Sequence, residues 1–177
     1  MPNYCENRLI VRGSTKDLIK FIQQYDYCDL NKIIPEPLTI EECPKQYRLA
    51  EDKERPWFNW YDWHVAFWGT KWNTFDLQGP TIEEIEESEC TEIEIWFGTA
   101  WSPCENPIKK LIMDNPHLEF NYYYYEPGAG FGGGFEHGMW FECNGDLRDF
   151  SIKYEFESPE YWDELDAEYA KENKEEK

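Results

Sequence analysis

Three stretches place residues where chemistry could occur. The first is GAGFGGG, where Gly128, Gly130 and Gly133 meet the spacing G-x-G-x-x-G. In dinucleotide-binding folds such glycines let backbone approach a pyrophosphate, which rests on the N-terminus of the next helix. Here FEHGMWFEC follows and reads as a strand, so the run reads as a flexible hairpin turn. No Gly-Lys-Ser/Thr follows either, so the phosphate-loop pattern fails as well.

The second is a pair of tryptophan-centred turns, HVAFWGTKWNTFDL and FGTAWSPCENP. They set Lys71 and Asn73 beside Trp72, with Trp101 in the other turn. Asn3 and Asn7 flank the first strand, and Glu126 ends a later one. Two readings stand side by side. If these segments converge at one end of a sheet, they form a polar binding pocket walled by Trp72 and Trp101. Alternatively the turns are packing knots: Lys71 neutralises Glu126 or another acid, the asparagines satisfy turn backbone, and both tryptophans are largely buried.

The third is the acidity. The net charge is −20, and 14 of those charges lie in two blocks. One holds Glu83, Glu84, Glu86, Glu87, Glu89, Glu92 and Glu94 without a Lys or Arg; the other, residues 155–177, sets ten acids against three lysines. Such a field repels nucleic acid and attracts basic partners, or serves only solubility. On an extended strand Glu92 and Glu94 would repeat every ~6.6–6.8 Å on one face, close to phosphate spacing along a DNA strand.

Other chemistry finds no frame. His64, His117 and His137 are scattered. The cysteines (Cys5, Cys28, Cys43, Cys90, Cys104 and Cys143) form no C-x-x-C and no zinc spacing, and His137 with Cys143 is the nearest approach. No serine elbow is present. Carboxylates are so abundant that any pair resembles an acid and a base, which removes the force of the observation. No catalytic residue, metal ligand or cofactor is assigned. The N-terminus lacks a basic region followed by an apolar run, and no stretch approaches eighteen apolar residues, so neither signal peptide nor membrane span is expected. Free thiols in a reducing cytoplasm are the expectation.

The elements that must position these residues follow from periodicity. NYCENRLIVRG alternates, with Cys5, Asn7, Leu9 and Val11 on one face, so Asn7 must find hydrogen-bond partners among apolar neighbours. STKDLIKFIQQYD is a helix capped at Ser14 or Thr15, with Leu18, Phe21, Ile22 and Tyr25 inward. LNKIIPEP reads as a short strand stopped by Pro35 and Pro37. Residues 38–62 read as a long irregular connection with room for one helical turn, and WFNWYDWHVAFWG as a short aromatic helix ending at Gly69. KWNTFDLQG starts a strand, and TEIEIWFGTAW is a strand with Ile93, Ile95 and Phe97 inward. SPCENPIKKLIMDNP is a helix with Asn106 as cap and Pro107 first, and Ser102 with Glu105 has capping-box spacing. HLEFNYYYYE is a strand with Leu118, Phe120, Tyr122 and Tyr124 on one face. HGMWFEC and DFSIKYEFE are strand-like. SPEYWDELDAEYAKENKEEK is a helix begun by Ser158 and Pro159, with a thin stripe of Trp162, Leu165 and Tyr169.

Two βαβ-like units with further strands predict an α+β sandwich of the ferredoxin-like kind: a mainly antiparallel sheet with two helices on one face, plus an acidic C-terminal helix. The domain is expected over residues 1–157 and the acidic tail over 158–177, from which a chain ending at Glu157 should retain its fold.

The islands PNYCENRL (2–9), NKIIPEP (31–37), WGTKWN (68–73), FGTAWSP (97–103) and YEPGAGFGG (125–133) together resemble the YubB ferredoxin-like family of plasmid and phage proteins. Tyr4 and Cys104 depart from that family's usual Trp and Pro. The resemblance implies the fold and a mobile-element origin, with host interaction or counter-defence as the analogous role, and implies no reaction.

The function expected is non-enzymatic binding of a protein partner with a basic surface, of counter-defence or DNA-mimic type, in the host cytoplasm. An enzyme or small-ligand binder using the Trp72/Trp101 end is the alternative. A third reading, RNA binding, would use Tyr123, Tyr125 and Trp96 as stacking platforms, against which the charge argues. Nothing in the sequence fixes an oligomeric state.

Overall fold

Strand β1 (Tyr4–Arg12) lies in the middle of the sheet because both of its edges are paired. Cys5, Leu9 and Val11 enter the main core on one side. Glu6, Arg8, Ile10 and Arg12 stand on the other, as the two-residue period requires. The structure, a computed structural model, describes residues 3–49, 58–143 and 145–175.

β1 pairs antiparallel with β3 (Glu92–Ala100) on one side and β4 (Glu119–Glu126) on the other. Beyond β3 lies β2 (Phe75–Gln78); beyond β4 lie β5 (Phe131–Glu136) and β6 (Met139–Glu142). The order is β2-β3-β1-β4-β5-β6. Helix α1 (Thr15–Tyr25) falls between β1 and β2, and helix α5 (Glu105–Asp114) between β3 and β4. Each crossover leaves room for one inserted antiparallel strand, which is the ferredoxin-like arrangement.

The inner layer buries Leu18, Phe21, Ile22 and Tyr25 of α1, and Ile108 and Leu111 of α5. Ser14 caps α1 by accepting from Asp17 N. Three short helices complete this layer: α2 (Leu30–Ile33), α3 (Trp60–Phe67) and α4 (Ile82–Ser88).

Several expectations give way here. Residues 31–37 are not a strand. Asp29 accepts from Asn31 N and starts α2, which sends Leu30 and Ile33 to the core at helical spacing before Pro35 stops it. Helix α5 starts at Glu105, so Asn106 is no cap and Pro107 is the third helical residue. Pro is tolerated there because the first N–H groups of a helix have no intrahelical acceptor. Asn106 instead donates to Ala66 O. Ser102 forms no capping box; it donates to Gly69 O at 2.6 Å. Within the 38–62 connection a 3-10 turn spans Lys45–Tyr47, and residues 50–57 lie outside the described residues.

The largest departure lies at residues 149–157, expected as a strand. They form α6 (Leu147–Lys153), capped by Asp146, and the segment after it. The stretch satisfies both periods: Phe150, Ile152, Tyr154 and Phe156 alternate, while Leu147, Phe150, Ser151 and Tyr154 fall at i, i+3, i+4 and i+7. The glycines of β5 decide between them. A Cβ on Gly132 would meet the Phe150 ring at 2.7 Å, so a side-chain-free strip is the bed on which α6 lies. A second core of Ile10, Tyr123, Tyr125, Phe150 and Tyr154 therefore covers half of the face opposite the main core.

Helix α7 (Pro159–Glu175) follows, with Ser158 Oγ accepting from Tyr161 N. The side chain of Tyr169 lies outside the described ones. α7 touches the body through Trp162, whose indole donates to Ser151 Oγ at 3.0 Å, and through Asp166, bound by both terminal nitrogens of Arg148. A chain ending at Glu157 is expected to keep its near-ultraviolet spectrum apart from the Trp162 contribution. It should melt only about 2–4 °C lower, the equivalent of about 1 kcal/mol for one half-buried indole. Loss of that spectrum would show that Trp162 closes the second core.

Candidate interaction surface

The seven polar and tryptophan positions singled out in the sequence divide into two groups. Asn7 is wholly buried. Its Nδ2 donates to Cys5 O (2.8 Å) and Thr99 Oγ1 (2.9 Å), and its Oδ1 accepts from the Tyr122 hydroxyl (2.5 Å). The amide thus ties β1, β3 and β4 together. Asn73 secures α2: its Oδ1 accepts from Leu30 N (2.8 Å) and Thr74 N (2.9 Å), and its Nδ2 donates to Asp29 (2.7 Å). Glu126 is buried and accepts from the backbone of Gly128 and Ala129. It stabilises the turn into β5, where Gly130 has φ +76°. The glycine run is a turn only in its first half: Gly128 and Gly130 lie there, while Gly132, Gly133 and Gly134 belong to β5, so a strand and not a helix takes up the run.

Asn3, Lys71, Trp72 and Trp101 form the second group. Lys71 does not reach Glu126. Its Nζ lies 4.8 Å over the Trp72 ring and 5.9 Å over Tyr61, both cation–π distances. Asn3 is exposed, and its carbonyl accepts from Trp101 N at 3.0 Å. Trp101 has φ +72° and is 50% exposed. The packing reading, which buried both Trp72 and Trp101, is corrected by this: Trp72 is half-buried and Trp101 stands out from the surface.

The buried tryptophan is the neighbouring Trp68, 2% exposed. Its indole donates to Ile34 O at 2.8 Å, and its ring stacks on His64 at 3.9 Å. His64 is held by Lys71 O at Nδ1 (2.8 Å) and by Glu36 at Nε2 (2.5 Å). The two Gly-Thr turns are tied by Thr70, whose hydroxyl donates to Ala100 O and accepts from Ala100 N. Trp68 anchors this end of the molecule, and Trp101 projects from it.

Around Trp101 a cleft of about 380 Å³ is lined by Tyr61, Val65, Lys71, Ala100, Trp101 and Ser102. Tyr61, Val65 and Trp60 are exposed on the outer side of α3. Sequence reading missed them as surface residues. The signal was present: aromatics crowd this helix more densely than one buried stripe can take, so a second face had to show. Trp101 and Tyr61 are of the residue types enriched at interface hot spots, and Val65 extends the apolar surface beside them.

The acidic block also sorts itself. Thr81 and Glu84 form a capping box that starts α4. Glu83, Glu86, Glu87 and Glu89 are exposed and form no ion pair among the described residues. Glu92 and Glu94 differ from the expected row of free charges. Glu92 is paired with Arg12, and Glu94 takes Arg8 Nε and a terminal nitrogen, both at 3.0 Å. The β1–β3 register sets Arg12 across from Glu92 and Arg8 one row from Glu94. A DNA-like spacing survives there; a DNA-like charge does not.

The RNA-stacking platform changes likewise. Tyr123 stacks on Tyr154 and Tyr125 on Phe156, so both are covered rather than presented. Among the described residues no group of three His, Cys, Asp or Glu side chains is placed to hold a metal ion, and no helix is long and apolar enough to cross a membrane.

A family model described as a ferredoxin-like domain in Api92-like protein matches residues 67–175, more than half of the chain. No curated protein and no solved structure matches it.

Proposed function

For a chain that belongs to the family of ferredoxin-like domains in Api92-like proteins, we propose non-enzymatic binding of a protein partner with a basic surface. The observation that carries this reading is Trp101: a large ring held half out of the surface by a positive-φ backbone, beside Tyr61, Val65 and Lys71. A non-glycine residue at positive φ costs free energy, and such strain collects at functional positions. The ledge supplies contact area, while the unpaired glutamates of α4 and the acidic tail supply long-range attraction. In this reading the body over residues 1–157 binds and the segment 158–177 adds charge. The resemblance to YubB proteins of plasmids and phages suggests a mobile-element protein working in the host cytoplasm, with counter-defence as its role.

The small-ligand or enzyme reading rests on the same cleft. Its polar side chains are Tyr61, Lys71 and Ser102, and the Ser102 hydroxyl is already committed to Gly69 O. The RNA reading retains Trp96 alone of its three rings.

Trp101→Ala separates binding from stability. The variant is expected to melt within about 3 °C of the parent, since half of the ring is already in water. Its affinity for partners captured from host extract should fall roughly 30-fold, about 2 kcal/mol, as for an interface hot spot. Capture by the parent should weaken as salt rises, because exposed charges are screened beyond about 8–10 Å. A variant that melts far lower, or that captures the same partner with unchanged affinity, sinks the proposal.

A further inference from the structure

The half of the outer sheet face that α6 leaves open holds a second cleft, about 320 Å³ in volume, over the row where Glu6 of β1 faces Gly98 of β3. Gly98 has no side chain, which lets a ring lie directly on the strand. The Phe75 ring occupies the place a Cβ would take, and it meets Tyr4 edge-on with centroids 5.0 Å apart. Trp96 makes a further wall, and Glu6 and Asp76 supply carboxylates. We infer that this cleft, with its floor at Gly98, walls of Tyr4, Phe75 and Trp96, and carboxylates Glu6 and Asp76, receives an arginine side chain presented by the partner. The inference deepens the partner reading above and rests on it for the source of the arginine.

Neighbouring rows of the same face show what such an arrangement holds. Arg12 neutralises Glu92. Arg8 lies 5.2 Å over the Trp96 ring, binds Glu94 through two nitrogens, pairs with Glu155 and donates to Tyr154 O at 3.0 Å. Ring face, carboxylate and guanidinium thus come together at Arg8, and carboxylate and guanidinium alone at Arg12. In the next row the ring and carboxylate are repeated and the guanidinium is missing. Among the described residues neither Glu6 nor Asp76 forms an ion pair.

Polar groups around Glu6 carry the same mark. Although the side chain reaches solvent, the sheet covers enough of it that desolvation, then the Glu157 charge, raises its proton affinity above the ordinary carboxylate value. Burial does the same to Glu157. Directly across from Glu6 in the β1–β4 register stands Tyr125, wholly buried, whose hydroxyl has no hydrogen-bond partner among the described residues. Burial and the charge of Glu157 push that phenol up to about 12. An entering cation would supply Glu6 and Asp76 with the opposite charge that they lack among the described residues. A guanidinium fits better than an ammonium: it is flat, weakly hydrated, stacks on rings and offers donors to two carboxylates at once.

The test needs no identified partner. The full chain, isotope-labelled, is titrated with the amide of Gly-Arg-Gly, and with the matching citrulline and lysine peptides, while the Trp96 indole and Gly98 amide resonances are followed. Citrulline keeps the planar shape and removes the charge. The arginine peptide is expected to shift both resonances saturably, the lysine peptide to bind at least about fivefold weaker, and the citrulline peptide not to bind. Glu6→Gln with Asp76→Asn should abolish the shifts without lowering the melting temperature, because neither carboxylate forms an ion pair among the described residues and burial works against the charge of Glu6. Absence of a saturable shift, equal response to citrulline, equal binding of lysine, or unchanged binding by the double variant would overturn the assignment. Trp101→Ala should leave the peptide shifts intact. If it captures partner normally while the arginine peptide binds as expected, the Trp101 reading falls and this one stands.

Discussion

Trp68→Ala is expected to destabilise the protein by about 3–5 kcal/mol, lowering the melting temperature by ~10 °C or more. The indole is 2% exposed, and three contacts depend on it. Its N–H satisfies Ile34 O, its face lies against His64, and its edge meets Trp63 with centroids 5.7 Å apart. Removing it leaves a buried carbonyl without a donor as well as a cavity. It also frees His64, which links α3 to Lys71 O and to Glu36. Trp68→Phe keeps most of the volume and loses the donor, so a loss of about 1–3 kcal/mol is expected for it. Chemical unfolding of both variants beside Trp101→Ala checks the assignment of roles. If Trp68→Ala unfolds like the parent, the anchor has been misidentified and Trp101 loses its contrast.

That contrast shows where sequence reading stops. WGTKW and FGTAW carry the same Gly-Thr-x-Trp pattern, and nothing in either fixes which tryptophan goes inside. The choice is tertiary: Trp68 faces the carbonyl at Ile34, while the positive φ at Trp101 turns its ring outward. The inner face of β1 was legible because Cys5, Leu9 and Val11 alternate with polar residues, and the need of Asn7 for partners followed from its place among them. Helix α4 was hidden because its apolar content is Ile82 and Ile85 among glutamates. Helix α6 was hidden because its aromatics satisfy two periods at once, and only the glycine strip of β5 selects one. The same limit applies to charge. Arg8 and Arg12 lie 86 and 80 positions before Glu94 and Glu92, so their pairing depends on a register that composition cannot reveal. Of the two clefts, the one at Trp101 was outlined in part by Lys71, Trp72 and Trp101. The one over Gly98 draws Tyr4, Glu6, Phe75, Asp76 and Trp96 from three strands and left no local trace.

The protein is also expected to unfold cooperatively in alkali, between about pH 11 and 12. Burial raises the phenol of Tyr122 well above its ordinary value, raises Tyr123 and Tyr124, and pushes Tyr125 up to about 12. Among the thiols, burial raises Cys5, and a hydrogen bond with Cys104 together with burial raises Cys28. The folded chain therefore holds protons that the unfolded chain releases near pH 8.5–10, roughly the ordinary thiol and phenol range. Where the unfolded state binds fewer protons, stability falls as pH rises. Their contribution is fully present below the unfolded values and is lost as pH climbs toward the folded ones. Cys5, Cys28 and Tyr122 alone give a slope of roughly 4 kcal/mol per pH unit above about pH 10, at about 1.4 kcal/mol each. A total stability of about 5–15 kcal/mol is exhausted within a few units, and Tyr123, Tyr124 and Tyr125 steepen the fall. Tyrosinate absorbance followed beside far-ultraviolet circular dichroism distinguishes the groups. The dichroism should stay unchanged through the lower part of the range. The buried tyrosines should then ionise in one step that coincides with its loss. Smooth titration of all twelve tyrosines with the dichroism intact would mean that the second core over Tyr123 and Tyr125 admits water, and α6 would not cover that face.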